Sequence, residues 1–332
     1  MNEVFKYALE IANLRNTQSL NEIENYNEKH ITDKSVQYLL IGEKQSFSII
    51  FSTSKGVFII DTNKNVCKQI LKGKFYGITK HNDYFFFARL GTNGERNFPK
   101  NERVSEICYS KIMNYKIKDL KIALFGIPAE VHQIENLAGK LIFPHTGYNQ
   151  VLSIPFAEIF NSKHLLKIGA CHSVELKLNE FSHLNSIFYK HKKLYLIAHN
   201  YTMKTGKLSD LVIYDTETNN QEIINLNAHS AHNIYVNEHD DKIYCDSNNK
   251  QLIKNNKIIF ENDKLLRGLS VTSNKIFVGG SDICFDDYKR FSNNPSIYIL
   301  NKYGILQTEL IFNEIGDIYE IRQLEENELS VI

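Results

Sequence analysis

The chain has 332 residues, and its 39 lysines and arginines nearly balance its 38 aspartates and glutamates, for a formal net charge of +1. That balance argues against a general electrostatic binder of nucleic acid or of membrane surfaces. A hydrophobic content of 42% is enough for a packed core. No apolar run approaches the roughly 20 residues that a membrane helix needs. We therefore expect a globular protein with neither a nucleic-acid nor a membrane partner.

The first segment differs from the rest of the chain. Phe5, Leu9 and Ala12 fall on one helical face, and Ser19 with Glu22 fits a capping box for a second short helix. The acidic residues in this amphipathic stretch argue against a secretory signal peptide. We predict a short N-terminal helical extension over residues 1–35.

Five cysteines, an odd number with no CxxC pair, are typical of reduced thiols. They indicate an intracellular protein, and we expect a cytoplasmic location. They also offer no thiolate zinc site.

From residue 36 onward, short polar turns recur between apolar runs rich in Val, Ile, Tyr and Phe. FYGITKHNDYFFFARL, HNIYVNEHDDKIYCDSNN and RGLSVTSNKIFVGGSD are three of six such hairpins. Their turns lie between 34 and 57 residues apart, with further strand-like runs in between. A four-stranded antiparallel unit repeated at about 40–50 residues is typical of a β-propeller.

The last hairpin leaves too little chain for a full unit. The economical arrangement is a ring in which the C-terminal strand supplies the inner edge of a blade whose outer strands come from residues 36–72. This predicts an all-β, six-bladed β-propeller closed by N- and C-terminal strands, occupying residues 36–332. Closure also removes the open sheet edges that invite aggregation.

The repeat places a set of histidines on one face of the ring, near the channel. In a propeller blade, the inner strand starts, and the second strand ends, on the face opposite the hairpin turn. His132, His183 and His232 lie at inner-strand starts, and His145 and His199 lie at the ends of second strands.

Neutral imidazole is a common ligand of transition metals. We predict a divalent transition metal (iron, manganese, zinc or copper) bound by these five histidines at the top of the channel. The alternative is that they only form hydrogen bonds or contact an organic ligand.

The same face carries polar residues suited to a small anion. Arg267 begins an inner strand and would point a guanidinium fork into the channel, where it suits a carboxylate, sulfate or phosphate. Arg89, Asn185 and Asp246 occupy related positions, and we predict that all four bind substrate. A salt bridge between blades is the alternative for Arg267. Long loops over residues 89–106, 199–210 and 279–296 gather there too, as functional loops often do.

The stretches HNIYVNEHDDKIYCDSNN, LRGLSVTSNKIFVGGS and IYEIRQL resemble a group of uncharacterised bacterial single-domain β-propeller proteins. The shared features are a histidine at a strand start, an R-G-L inner-strand start and a short closing strand, and the likeness spans residues 130–324. The resemblance implies the fold and a histidine-lined channel. It implies no activity.

Together these features favour a metal-dependent enzyme that makes or modifies a small anionic molecule, such as a sugar acid or an amino-acid-like compound. The ion would act as a Lewis acid or would activate water or oxygen. Iron would favour oxidation, and zinc or manganese would favour hydrolysis or elimination. One alternative is a non-catalytic propeller that binds a peptide, glycan or protein on this face. Another is a histidine that acts as a covalent nucleophile.

Overall fold

The computed structural model describes residues 29–90, 104–128, 130–178, 182–283, 290–325 and 328. Its strands form six antiparallel sheets arranged as the blades of a ring. The predicted six-bladed β-propeller is therefore confirmed. Of the helical extension predicted over residues 1–35, residues 1–28 lie outside the described residues.

Four blades are built from four consecutive strands each, running from the channel outward. Blade 2 contains β6 (Phe75–His81), β7 (Tyr84–Leu90), β8 (Val104–Met113) and β9 (Lys116–Pro128). Blade 3 contains β10 (Glu135–Leu137), β11 (Lys140–His145), β12 (Gln150–Pro155) and β13 (His172–Glu175). Blade 4 contains β14 (Leu184–Lys190), β15 (Lys193–Ala198), β16 (Ser209–Asp215) and β17 (Gln221–Ala228). Blade 5 contains β18 (Ala231–Val236), β19 (Lys242–Asp246), β20 (Gln251–Lys254) and β21 (Lys257–Glu261).

The two remaining blades close the ring. In blade 1 the innermost strand is the C-terminal one, and the order outward is β26 (Ile318–Leu324), β3 (Ser48–Thr53), β4 (Gly56–Asp61), β5 (Val66–Lys72) and β1 (Ile31–Ser35). Blade 6 runs from β22 (Leu265–Val271) through β23 (Lys275–Ser281), β24 (Ser296–Asn301) and β25 (Leu306–Phe312) to β2 (Tyr38–Gly42). The predicted closure by the C-terminal strand is thus confirmed.

The N-terminal strands form a second connection between blades 1 and 6. β1 pairs with the outer strand of blade 1, and β2 pairs with the outer strand of blade 6. Residues 31–35 therefore belong to a propeller sheet, although the sequence suggested that the propeller starts at residue 36. Residues 38–42 join blade 6 rather than the closing blade.

Apolar side chains fill the space between neighbouring blades. Each of six buried clusters joins two adjacent sheets: Phe51 of blade 1, for example, packs with Phe277 and Phe312 of blade 6. Two short helices, α1 (Phe156–Asn161) and α2 (Thr202–Thr205), and a 3-10 turn at Ile168–Ala170 lie in connections. None of the described helices is long and apolar enough to span a lipid bilayer. Cys67, Cys108, Cys171 and Cys245 are free thiols.

In every blade a similar four-residue pattern lies at or just before the start of the inner strand: an apolar residue is first, a variable residue second, and Ile or Leu fourth. The six quartets are FYGI (75–78), VHQI (131–134), LNSI (184–187), AHNI (231–234), LRGL (266–269) and IYEI (318–321). In five blades the ladder shows that one residue of the quartet is extra, with no partner of its own on the next strand. Such a bulge bends the strand and redirects side chains.

Side chains of neighbouring blades hold these bulges in place. The Gln133 side-chain oxygen accepts from the Ile187 amide at 3.0 Å, and the Ser186 hydroxyl accepts from the Asn233 amide at 2.7 Å. The Asn233 side-chain oxygen in turn accepts from the Gly268 amide at 2.8 Å. Hydrogen bonds therefore join the quartets of blades 3, 4, 5 and 6, each to the next.

Close packing at the closing strand predicts a specific sensitivity to Gly279→Ala. A Cβ at Gly279 would lie 2.4 Å from the Arg267 carbonyl oxygen and 2.6 Å from Ile318 Cγ2. We expect the free energy of unfolding to fall by about 1–3 kcal/mol, the usual cost of overpacking. Denaturant unfolding of the variant measures this loss. Gly169→Ala is the matched control, because nothing lies within 4 Å of its added Cβ. Equal stabilities for the two variants would contradict this account of the packing.

Candidate functional site

The variable residues of the six quartets lie around the channel at one face of the ring. They are Tyr76, His132, Asn185, His232, Arg267 and Tyr319. Ring contacts connect most of them: the Tyr319 and Tyr76 centroids lie 4.6 Å apart, and those of Tyr76 and His132 lie 4.9 Å apart. We call this group, together with His183 and His199, the mouth cluster.

Two further histidines bridge the gap over Asn185. His183 lies 5.1 Å from His132, measured between ring centroids, and 5.1 Å from His199, which lies 5.1 Å from His232. Four of the five predicted histidines are therefore neighbours. His183 reaches the cluster from just before its strand, where its backbone has a φ of +48°.

Arg267 lies among these rings. Its Nη2 donates to His132 Nδ1 at 2.7 Å, and its guanidinium carbon lies 4.6 Å from the Tyr319 centroid and 5.7 Å from that of Tyr76. Among the described residues, no carboxylate forms an ion pair with Arg267. Since a guanidinium has five N–H donors, this contact leaves it further hydrogen-bonding capacity.

The other charged groups at this face are paired. Lys74 Nζ lies 3.8 Å from a Glu130 oxygen, and Arg290 Nε lies 3.7 Å from an Asp317 oxygen. Glu130 also lies 3.5 Å from His132 Nε2. The pKa of His132 is lowered well below its usual range by burial and by Arg267, so at neutral pH this last contact joins a carboxylate to a neutral ring.

Burial also keeps the neighbouring imidazoles neutral. It lowers the pKa of His232 well below the usual range, and Arg267 adds to the effect. The pKa of His199 is lowered by burial and then by His183 and Arg267. Arg267 therefore places a positive charge beside three imidazoles that burial keeps neutral, those of His132, His199 and His232.

Hydrogen bonds determine which imidazole nitrogen carries the proton. His132 Nδ1 accepts from Arg267, and His199 Nδ1 accepts from the Tyr201 amide at 3.1 Å, so each neutral ring carries its proton on Nε2. His232 Nδ1 instead lies 2.8 Å from the Ser230 carbonyl oxygen and must donate to it. Its Nε2 therefore carries a lone pair.

This tautomer pattern limits metal binding. A ligand histidine must offer a lone pair, and the Nδ1 lone pairs of His132 and His199 are already used within the cluster. In the described part of the chain, no group of three or more His, Cys, Asp or Glu residues is arranged to hold a metal ion.

The remaining predicted site residues have other contacts. His145 is buried, donates to the Pro128 carbonyl oxygen at 3.1 Å and stacks on Tyr148. Burial lowers its pKa to about 4. Asn185 donates to the Ala231 carbonyl oxygen at 3.0 Å, a contact between blades 4 and 5.

Arg89 and Asp246 also support the scaffold. Arg89 forms an ion pair with Glu106 across adjacent strands, and both side chains are at most 1% exposed. Asp246 accepts from the His229 amide and from the Asn249 side chain, both at 2.9 Å. Of the predicted loops, residues 91–103 and 284–289 lie outside the described residues, whereas residues 199–210 contain α2.

Below the mouth cluster, side chains cross the channel. Asn233 Nδ2 of blade 5 donates to Glu320 of blade 1 at 3.1 Å, and Arg322 of blade 1 pairs with Glu135 of blade 3. Burial raises the pKa of Glu320 to about 8. These bridges join non-adjacent blades, so polar side chains cross the channel directly below the mouth cluster.

Comparison with known proteins supports the fold. No protein family model and no curated protein matches the chain. Among solved structures, a nidogen/laminin complex superposes with a TM-score of 0.60 at 8% identity, covering 83% of this chain and 97% of the matched one. A protein of unknown function from Bacteroides caccae gives a TM-score of 0.56 at 9% identity, covering 85% and 100%. At these identities the likeness concerns the fold alone.

The buried histidines predict a loss of stability in acid. His145, with a pKa of about 4, stays neutral in the folded state while the unfolded chain takes up its proton below about pH 6.5. The unfolded state then binds more protons, so the free energy of unfolding falls by about 1.4 kcal/mol per pH unit for each such histidine. Glu320 and Asp317, whose pKa values burial raises to about 8 and about 6, act in the opposite sense. Asp246, whose pKa burial also raises, acts as these two acids do. Five histidines with lowered pKa values outnumber the three acids: His81, His132, His145, His199 and His232.

Urea unfolding at pH 7, 6 and 5 measures the net slope, which we expect to be a fall in stability. His145→Gln keeps a donor for Pro128 but removes one titrating group. It should reduce the slope only slightly near pH 7 and by nearly one proton, or about 1.4 kcal/mol per pH unit, near pH 5. An unchanged slope would show that His145 takes up its proton equally in the folded and unfolded states.

Proposed function

We propose that the mouth cluster binds a small anionic molecule and that the propeller acts on it as an enzyme. The observation that carries this proposal is Arg267, a guanidinium among neutral rings with no carboxylate partner in the described part of the chain. A buried or half-buried charge is expensive unless it is paired. An anionic ligand would supply the missing partner.

His232 is the residue that we assign to proton transfer. Its Nδ1–H is fixed by the Ser230 carbonyl oxygen and by the Ser247 hydroxyl at 2.9 Å, which orients the ring and leaves Nε2 as a base. A neutral, oriented imidazole next to a bound anion is a common arrangement for general acid–base catalysis.

Sugar acids and amino-acid-like compounds fit a cationic fork surrounded by hydrogen-bonding rings. A candidate gluconolactonase, at a TM-score of 0.50 and 9% identity, shares the fold.

Anion binding is tested by the unfolding temperature at constant ionic strength. We expect at least one of D-gluconate, L-glutamate, sulfate and phosphate to raise it in a saturable way, because a ligand of the native state stabilises that state. Arg267→Gln should abolish the effect, and Arg267→Lys should retain only part of it, because lysine keeps the charge but not the fork. Lys193→Gln, an exposed residue at a hairpin turn, is the charge-matched control. If Arg267→Gln responds as the unaltered protein does, Arg267 holds no anion.

Conversion of the bound compound is tested with His232→Asn. The amide can still donate to Ser230 but is not a base at neutral pH. We expect anion binding to persist and turnover of the panel, followed by proton NMR, to be lost. Anion binding without turnover by the unaltered protein would favour the non-catalytic alternative, in which the face binds a peptide, glycan or protein.

A metal-dependent enzyme is the second candidate. It is favoured by four imidazoles in mutual contact, three of which burial keeps neutral. Metal binding would require His132 and His199 to give up their present acceptor contacts. The His232 Nε2 lone pair is already suited to an ion such as iron, manganese, zinc or copper.

Elemental analysis of protein purified without chelator or affinity-tag metal tests this candidate. About one equivalent of a transition metal, lost in the His132→Ala/His232→Ala double variant, would support a metal-dependent enzyme. Less than a tenth of an equivalent in the well-folded unaltered protein would exclude a tightly bound resident metal.

A further inference from the structure

Tyr319 is the one tyrosine among the described residues whose hydroxyl is buried and forms no hydrogen bond. The residue is 2% exposed and lies in the IYEI quartet of the closing strand. Buried polar groups in native proteins are nearly always satisfied, so each exception needs a reason. A ligand that accepts from this hydroxyl would be such a reason.

Other buried tyrosines show how the fold normally deals with this group. The Tyr195 hydroxyl donates to Asp240 at 2.8 Å, and the Tyr244 hydroxyl lies 3.3 Å from the Leu226 carbonyl oxygen. The unpaired hydroxyl therefore occurs in the mouth cluster, on the ring that stacks against Arg267. Burial raises the pKa of Tyr319, so the hydroxyl remains a proton donor at neutral pH.

The charged residues around Tyr319 indicate what charge a ligand that accepts a hydrogen bond from its hydroxyl should carry. Lys74 has Glu130 and Arg290 has Asp317 as carboxylate partners, so Arg267 is the described lysine or arginine at this face that has none. One unpaired positive charge matches a monoanion. A phosphate dianion would carry a second negative charge into a partly buried site without a second unpaired cation.

We propose that the group held in the mouth cluster is a carboxylate, with Arg267 donating to its oxygens and the Tyr319 hydroxyl donating a further hydrogen bond to one of them. This inference rests on the proposed function and deepens it, because it selects carboxylic acids among small anions. It also assigns Tyr319 a direct contact with the ligand. The rest of the ligand would face the imidazoles of His183, His199 and His232.

Three probes with the same ring and different acid groups test the choice of group. They are benzoate, benzenesulfonate and phenylphosphonate, and D-gluconate and L-glutamate serve as non-aromatic carboxylates. Dissociation constants are measured by calorimetry or thermal shift at pH 7.5 and constant ionic strength. We expect the best carboxylate to bind at least tenfold more tightly than the phosphonate, which is mainly a dianion at this pH. Tighter binding of the sulfonate, also a monoanion, than of every carboxylate would overturn the choice of group.

Tyr319→Phe removes only the hydroxyl. We expect it to weaken the best carboxylate roughly tenfold or more, as loss of a hydrogen bond to a charged group does. Its unfolding temperature without ligand should be unchanged or higher, because the lost hydroxyl forms no hydrogen bond within the described part of the chain. Tyr195→Phe is the matched control, which should lower the unfolding temperature, since it breaks a bond to Asp240, and leave carboxylate binding unchanged.

The outcomes separate the two levels of the proposal. Equal carboxylate affinities for Tyr319→Phe and the unaltered protein would overturn the role of the hydroxyl. Arg267-dependent binding of sulfate or phosphate without binding of any carboxylate would overturn the choice of group but leave the anion site intact. If no anion binds, the proposed function itself fails.

Discussion

The extra residue at the start of the inner strands is the constraint on which both the ring and its mouth depend. Without it, successive side chains of the quartet would simply alternate between the two faces of the sheet. The bulge allows the apolar first and fourth residues to remain buried between blades while the variable residue turns toward the channel. The third residue then reaches the next blade, as Gln133, Ser186 and Asn233 do. In five of the six blades this bulge thus brings a variable side chain to the same face, and the third residues join blades 3 to 6.

Burial decides the electrostatic character of that face. Imidazoles packed edge to face exclude water from one another, so protonation of His132 and His232 is disfavoured while Arg267 keeps its charge. Because the charge is fixed in space by His132 and by two tyrosine rings, it is preorganised for a partner rather than free to move into solvent. The same contacts use up imidazole lone pairs. The cluster is therefore better prepared for an anion than for a metal ion.

The sequence predicted the architecture well because hairpin turns and apolar runs are local signals. Ring closure by the C-terminal strand also followed, since a lone final hairpin has nowhere else to pair. The two N-terminal edge strands did not follow. ITDKS in β1 has no strong strand signal and is largely exposed, and only its pairing with β5 makes it a strand.

The site was partly predictable for a related reason. Counting from the turns brought four of the histidines and Arg267 to one face. Tyr76 and Tyr319 were missed because aromatic residues in a strand indicate core, and aligning the six quartets would have revealed them. Arg89 was expected at the channel, but Glu106 lies directly opposite it on β8, a pairing that only the strand register reveals.

The closing strand has a consequence for how the protein is made. Strand β26 pairs with β3, and the contacts at this seam join residues more than 260 positions apart in the chain. On a ribosome, blade 1 therefore exposes its inner edge while five other blades are being synthesised. Such non-local pairing slows folding, and an uncovered strand edge invites association with other chains. The time between the synthesis of β3 and of β26 is thus the period in which this protein most depends on protection from its neighbours in the cell.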